Sequence, residues 1–307
     1  MVDKRVTLRD VAAAAGVSRA TAGFVLSDAP GITISEPTRQ RVRQTAQDLG
    51  YVPHSIARAL REGSSRVIVL VVESGYDGNY ERTFARGLDE ELAGHGYVLL
   101  VRHGHSAPGS QQRLIEAVAP RAILRMPNYL DAEHELDDGG WAGGLAGNIA
   151  VQLRYLASRD HRLIAVALPD GDPPLGPVRL RFAREAAAMI GLPPPPHLIV
   201  PRESAAATRV LEALLGAHPA VTAFAAVDDD VALRILAAAR DLGLSVPGDV
   251  AVIGFDDTDY GALFTPTLTT VHIEAGEHGR RAARVLLGLD NDVFAPTPAQ
   301  VIVRESA

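Results

Sequence analysis

Catalysis would need histidines, acids or nucleophiles at working distances, and their spacing in this chain argues against it. His103, His105, His161 and His272 are scattered along 307 residues. There is no HExxH pair to hold a metal, no GxSxG turn to present a serine and no Walker A loop to cradle phosphate. The run RHG at 102–104 stands alone at the end of a strand-like segment, weak support for phosphohistidine chemistry. Cysteine is absent, which removes disulfides and thiolate metal sites. We read no enzyme, no cofactor and no metal. Basic residues offer the other chemistry. Residues 1–66 carry 10 Lys and Arg against 6 Asp and Glu, a balance of +4, and the remainder carries 20 against 31, a balance of −11, which together return the net −7 of the whole. A basic head on an acidic body suits contact with phosphate through the head alone.

The elements that must position that head can be read from its caps and periodicity. Thr7 and Asp10 make a capping pattern, so a helix begins near Leu8 with Leu8, Val11 and Ala12 facing inward. Gly16 ends it. Ser18 caps a second helix on which Thr21, Val25 and Leu26 recur at helical spacing. A third starts around 35–38, with Pro37 in its first turn and Val42, Ala46 and Leu49 as its stripe. After Pro53, Ile56, Ala57 and Leu60 form one short apolar face. Shape alone leaves two readings open, a DNA-reading unit or a small packed bundle.

The ordered set "VTLRDVAAAAGVS" and "TRQRVRQTAQDLGYVPHSIARAL" closely resembles the N-terminal domain of the LacI/GalR family of bacterial transcription repressors. The resemblance implies that the second helix enters the major groove of double-stranded operator DNA, with Arg19, Ala20 and Phe24 facing base edges. Arg19 could clamp guanine O6 and N7. Phe24 departs from the arginine frequent in the family, and either touches a thymine methyl or packs. Thr7, Ser18, Thr21 and Ser27 match phosphate contacts, with local capping the alternative for each. Tyr51 and His54 belong to the same DNA-binding set. "SIARALREG" matches the family's hinge helix: Leu60 is the minor-groove wedge, Ala57 the small residue at the helix pair, and Arg58 and Arg61 the flanking phosphate contacts, with a solvated linker helix as the alternative.

From Arg66 onward, apolar runs such as "RVIVLVV", "YVLLVRH", "RLIAVAL" and "VTAFAAV" alternate with helical stretches, the pattern of doubly wound parallel sheets whose ligands bind beyond the strands' carboxyl ends. "AFAAVDDDVAL", "DLGLSVPGDVAVIGFDDTDYGALFTPTLTTV" and "VIVRES" carry the resemblance through the body, which in this family is similar to periplasmic sugar-binding proteins. The expected fold is a small all-α helix-turn-helix head on a periplasmic-binding-protein-like α/β body of two lobes. Expected boundaries are 1–50 for the head, 51–65 for the hinge, 66–144 with 273–290 for the N-terminal lobe and 145–272 with 291–307 for the C-terminal lobe.

By the same resemblance Arg181, Asp228 and Asp256 hold the hydroxyls of a small, sugar-like effector in the cleft between lobes. Asp228 replaces the family's usual asparagine, favouring donor-rich ligands, with helix capping the alternative. Arg184 stands where glycine is usual and is expected to crowd the cleft. Asp257 is read as structural. The segment "YLDAEHELDDGGWAGGLAGNI" is short and glycine-rich where the family has a further strand, so that strand is expected to be abbreviated or lost, and Trp141 either stacks on ligand or covers core. The reading is a homodimeric repressor on a pseudo-palindromic operator, cytoplasmic and nucleoid-associated, with no membrane partner. The alternative is an effector-independent regulator or architectural protein with a degenerate pocket; an exported binding protein would need no DNA head.

Overall fold

Thr7 starts the head's first helix, α1 (Leu8–Ala14), with a reciprocal cap: its hydroxyl accepts from the Asp10 N–H at 3.4 Å, and its own N–H donates to the Asp10 carboxylate at 2.8 Å. The helix stops at Gly16, where Val17 N–H returns to the Ala12 carbonyl at 3.0 Å. Ser18 accepts from Thr21 N–H at 3.0 Å and opens α2 (Arg19–Leu26). Pro37 lies in the first turn of α3 (Glu36–Asp48). Val11, Ala12 and Ala15 meet Ala22 and Val25 of α2 and Val42 and Ala46 of α3 in one apolar cluster. Arg41 reaches across to donate to the carbonyl of Ala15, one of those that α1 leaves unsatisfied at its end, at 3.0 Å. The computed structural model describes residues 6–26, 33–51, 65–72, 78–104, 109–126, 144–171, 176–290 and 297–307. The chain divides into two units, Met1–Ser65 and Arg66–Ala307.

In the second unit, β1 (Val67–Val72) is a continuous apolar strand, the pattern of a strand covered on both faces. It lies between β2 (Val98–His103) and β3 (Ala122–Met126), both parallel to it, in the order β2-β1-β3. The crossovers are α4 (Asn79–Gly94) and α5 (Ser110–Val118). Ile68, Leu70 and Val72 pack on Phe84, Leu88 and Leu92 of α4. The first turn of α4 also buries the polar residues Asn79 and Glu81.

A second parallel sheet has the order β5-β4-β6-β7, from β4 (Leu163–Pro169), β5 (His197–Val200), β6 (Val221–Ala226) and β7 (Ala251–Ile253). Its helices are α6 (Leu145–Ser158), α7 (Gly176–Met189), α8 (Ser204–Ala217) and α9 (Asp229–Asp241). Buried Gln152 of α6 donates to the carbonyls of Ala226 and Gly254 at 2.8 and 2.9 Å, tying the helix to the carboxyl ends of β6 and β7. Then β8 (Thr270–His272) pairs antiparallel with β9 (Gln300–Ile302) beside this sheet. Between them the chain returns to the first sheet as α10 (Gly276–Leu287), whose Ala282 and Ala283 complete that core.

The return is a backbone-to-backbone contact. A Cβ on Gly87 of α4 would lie 2.0 Å from the Gly276 carbonyl, and one on Gly279 of α10 would lie 2.1 Å from the Phe84 carbonyl. Only glycine permits so close a crossing. Of the expected hinge, 51–65, residues 52–64 lie outside the described residues, as do residues 129–143 of the shortened segment 129–149, with Trp141; from Leu145 onward that segment belongs to α6.

Candidate nucleic-acid interface and effector cleft

On α2 the buried positions are Ala22 and Val25. Arg19, Ala20 and Phe24 are exposed, and Phe24 is absent from the head's apolar cluster. The three side chains proposed to face bases thus share the outward side of the helix, and the packing alternative for Phe24 receives no support from the head's core. The hydroxyls are partly committed. Thr7 uses its O–H on the Asp10 carboxylate at 2.7 Å. Ser18 and Thr21 share one hydrogen bond at 2.8 Å, so one of their two O–H groups is left to donate outward. Tyr51 is half-buried against the head's core, its N–H on the Ala46 carbonyl at 2.8 Å. Ser27, His54, Ala57, Arg58, Leu60 and Arg61 lie outside the described residues.

In the body, Asp228 follows β6 and caps α9, accepting from Val231 N–H at 2.7 Å. Burial pushes its carboxyl above the ordinary aspartate range, opposed by that N–H and by the charge of Arg179. Asp256 follows β7 at φ 90°. Its backbone carbonyl accepts from Asn79 N–H at 2.8 Å and its carboxylate from Tyr80 N–H at 2.5 Å, so one residue following the second parallel sheet holds the first turn of α4, the helix packed on the first sheet. A Cβ on Gly78 would lie 1.5 Å from the Asp256 carboxylate, which seats this clasp on glycine. Burial raises Asp256 to about 7, against the opposing pull of the Tyr80 N–H and of Arg179.

Among the described residues, the guanidinium that acts on both aspartates is that of Arg179. Its charge acts on Asp228 and on Asp256, and it lies 4.3 Å from the centroid of the Phe255 ring. The structure does not bring Arg181 to them. Two positions on along α7, that residue is exposed, 3.9 Å from Glu185 and over the Phe182 ring. Arg184, expected to crowd the cleft, is exposed on the same outward stripe. Helical periodicity separates them: Arg179 lies three and four residues before buried Phe182 and Ala183, whereas Arg181 lies three and four before exposed Arg184 and Glu185. That phase was the signal sequence reasoning passed over.

Asp257 is a structural anchor, bonded to Arg304 at 2.8 Å and His272 at 3.0 Å. Sequence reasoning also missed Asp229, fully buried, which accepts from Thr258 and Thr270 hydroxyls and from Thr258 N–H. His103 faces Glu81 at 3.5 Å and His161 faces Thr222. Among the described residues no group of three His, Asp or Glu could hold a metal, and no helix is long and apolar enough to cross a membrane.

A family model described as bacterial regulatory proteins, lacI family, matches residues 7–54, and one described as a periplasmic binding protein-like domain matches 153–307. The chain belongs to the lacI family. This lacI-family chain is 28% identical to the HTH-type transcriptional repressor CytR of Escherichia coli strain K12, over 92% of its own length and 89% of the relative's. It is 26% identical to the repressor PurR of Edwardsiella ictaluri, with the same coverage. Among solved structures it is similar in fold to the lac repressor dimer bound to operator and an anti-inducer, with TM-score 0.73, 19% identity and 99% of both chains covered. A complex of the regulator CelR with cellobiose matches with TM-score 0.60 at 24% identity, over 99% of this chain and 100% of the other. As a lacI-family member the protein is a DNA-binding transcription regulator, and its relatives are repressors by name, not enzymes.

Proposed function

We propose that the protein is a homodimeric repressor that places two copies of α2 in successive major grooves of a pseudo-palindromic operator and releases it, or grips it, on binding a small donor-rich effector between the lobes. Arg19, Ala20 and Phe24 read bases, while Ser18, Thr21, Thr7, Ser27, Tyr51 and His54 fix register on the backbone. The hinge, 51–65, pairs with its copy and wedges Leu60 into the minor groove, with Ala57 at the helix pair and Arg58 and Arg61 on phosphates. The lobes are taken as 66–144 with 273–290 and 145–272 with 291–307. The work of such a protein is on the nucleoid, in the cytoplasm.

The observation that carries the effector reading is the clasp at Asp256. Its carboxylate borders the cleft beside Arg179 and Asp228 and holds the start of α4 in the other lobe. A ligand that engages this carboxylate competes for the hydrogen bond joining the lobes, so occupancy and lobe geometry share one free energy. Arg179 takes here the role that the family resemblance gave to Arg181. Two desolvated carboxylates and one guanidinium suit a ligand carrying several hydroxyl or amino groups, because each would leave a buried charge unsatisfied if replaced by an apolar one.

The test is selection of duplexes from random DNA by the full-length protein, then titration of the complex with candidate sugars and amino sugars. Recovery of a twofold-symmetric site, and a shift of its affinity by one class of ligand, is the expected result. No preference over scrambled competitor rejects the DNA reading. A symmetric site whose affinity no ligand moves favours an effector-independent regulator.

A further inference from the structure

We infer that Phe24 and Ala20 form a methyl-reading patch on α2 that selects the C5-methyl group of thymine in each half of the operator. The inference rests on the base-reading role proposed above for this helix. The Phe24 side chain is 40% exposed, although α2 buries Ala22 and Val25, and among the described residues it takes no part in the head's apolar cluster. Ala20 lies one turn earlier on the same stripe and is exposed as well. The outward face of α2 therefore presents one cation, Arg19, the hydroxyl pair of Ser18 and Thr21 at its start, and an apolar surface made by Ala20 and Phe24.

Major-groove chemistry then decides what that surface can meet. Of the groups exposed there, N7 and O6 of guanine, N4 of cytosine, N7 and N6 of adenine and O4 of thymine all carry hydrogen bonds to water, which a phenyl ring seated on them would displace without replacing. The thymine methyl alone gains from burial. The patch thus works by attraction to one base and by exclusion of the other three. Burying one methyl is worth ~0.8 kcal/mol, which converts to about fourfold in affinity per half-site and about fifteenfold for a symmetric pair.

The experiment uses the full-length protein and the site it selects from random duplex DNA. Thymidines in the recovered half-sites are replaced one at a time by deoxyuridine, which removes the methyl and nothing else. One position per half-site should weaken binding about fourfold. Phe24→Ala should bind the thymidine and deoxyuridine duplexes alike, and Phe24→Leu, still apolar, should keep a preference for thymidine; circular dichroism of each variant checks that the exposed position leaves the head folded. Equal affinity of the wild type for both duplexes would overturn the inference. So would selected half-sites without a fixed thymine, or an undiminished thymidine preference in Phe24→Ala. Failure to select any site overturns the base-reading role itself, a separate result.

Discussion

Replacing Asp256 with asparagine should stabilise the body, and increasingly so as pH rises. The carboxyl takes up its proton at about 7 in the folded chain, against 3.8 for an ordinary aspartate. That gap of roughly three decades, at 1.36 kcal/mol each, means about 4 kcal/mol set against the ionised folded form. Between about pH 4 and pH 7 the unfolded chain has released this proton and the folded chain keeps it. The folded state then binds more protons, so wild-type stability falls with rising pH by up to ~1.36 kcal/mol per unit and levels off above 7. The carboxylate faces Arg179 from α7, Arg82 from α4 and Asp229 from α9, and their net effect is contained in the same value. Asparagine keeps an oxygen for the Tyr80 N–H and cannot ionise. Urea unfolding of full-length wild type and Asp256→Asn, followed by far-UV circular dichroism from about pH 5 to about pH 8, reads the difference directly. The variant's advantage should grow with pH and then flatten. A difference that is constant, or a variant less stable than wild type at the alkaline end, refutes the desolvated-carboxylate argument.

The crossing of α4 and α10 predicts that Gly279→Ala, whose Cβ would lie 2.1 Å from the Phe84 carbonyl, lowers stability by about 1–3 kcal/mol or more, while Gly216→Ala, with open space around it, raises stability by about 0.5–1 kcal/mol; thermal melting of both variants checks the sign of each. Arg179→Ala should weaken binding of the effector found by titration, by calorimetry, at least tenfold, and Arg181→Ala should leave it within about twofold; the opposite order would return the cleft to Arg181. Leu60→Gly should reduce operator affinity by more than about tenfold in a gel-shift assay without moving the melting temperature of the body, and unchanged affinity would reject the wedge.

The head was legible because its signals are local. A cap at Thr7, another at Ser18 and the 3.6-residue phase of Val11, Ala12, Val25, Val42 and Ala46 specify three helices and their inner faces without any long-range information. The alternation of strands and helices in the body was legible for the same reason. The cleft was harder to read, because Asp256 acquires its partners from Asn79 and Tyr80, 177 and 176 positions away in the chain, and its raised proton affinity from burial that no local pattern reports. Asp229 was passed over because the middle one of three consecutive acids reads as part of a solvated helix start, while its actual partners, Thr258 and Thr270, come from a later loop and from β8. Arg181 was chosen by motif where helical phase, read against the alanines at 183, 186 and 187, points to Arg179. The strand β5, only four residues after a run of prolines, carries too short an apolar pattern to stand out.

The late return of the chain to its first sheet has a bearing on how the molecule is made. The core around Ile68, Leu70 and Phe84 is closed by Ala275, Ala282 and Ala283, and the neighbouring lobe by Ser306 and Ala307, whose backbone and hydroxyl bond to Val252, Thr267 and Thr269. During synthesis neither hydrophobic layer can be sealed until residues 275–307 have left the ribosome. A nascent chain arrested before position 275 would display both unfinished cores at once, so the cost of premature termination falls on the whole sensor and not on one half of it.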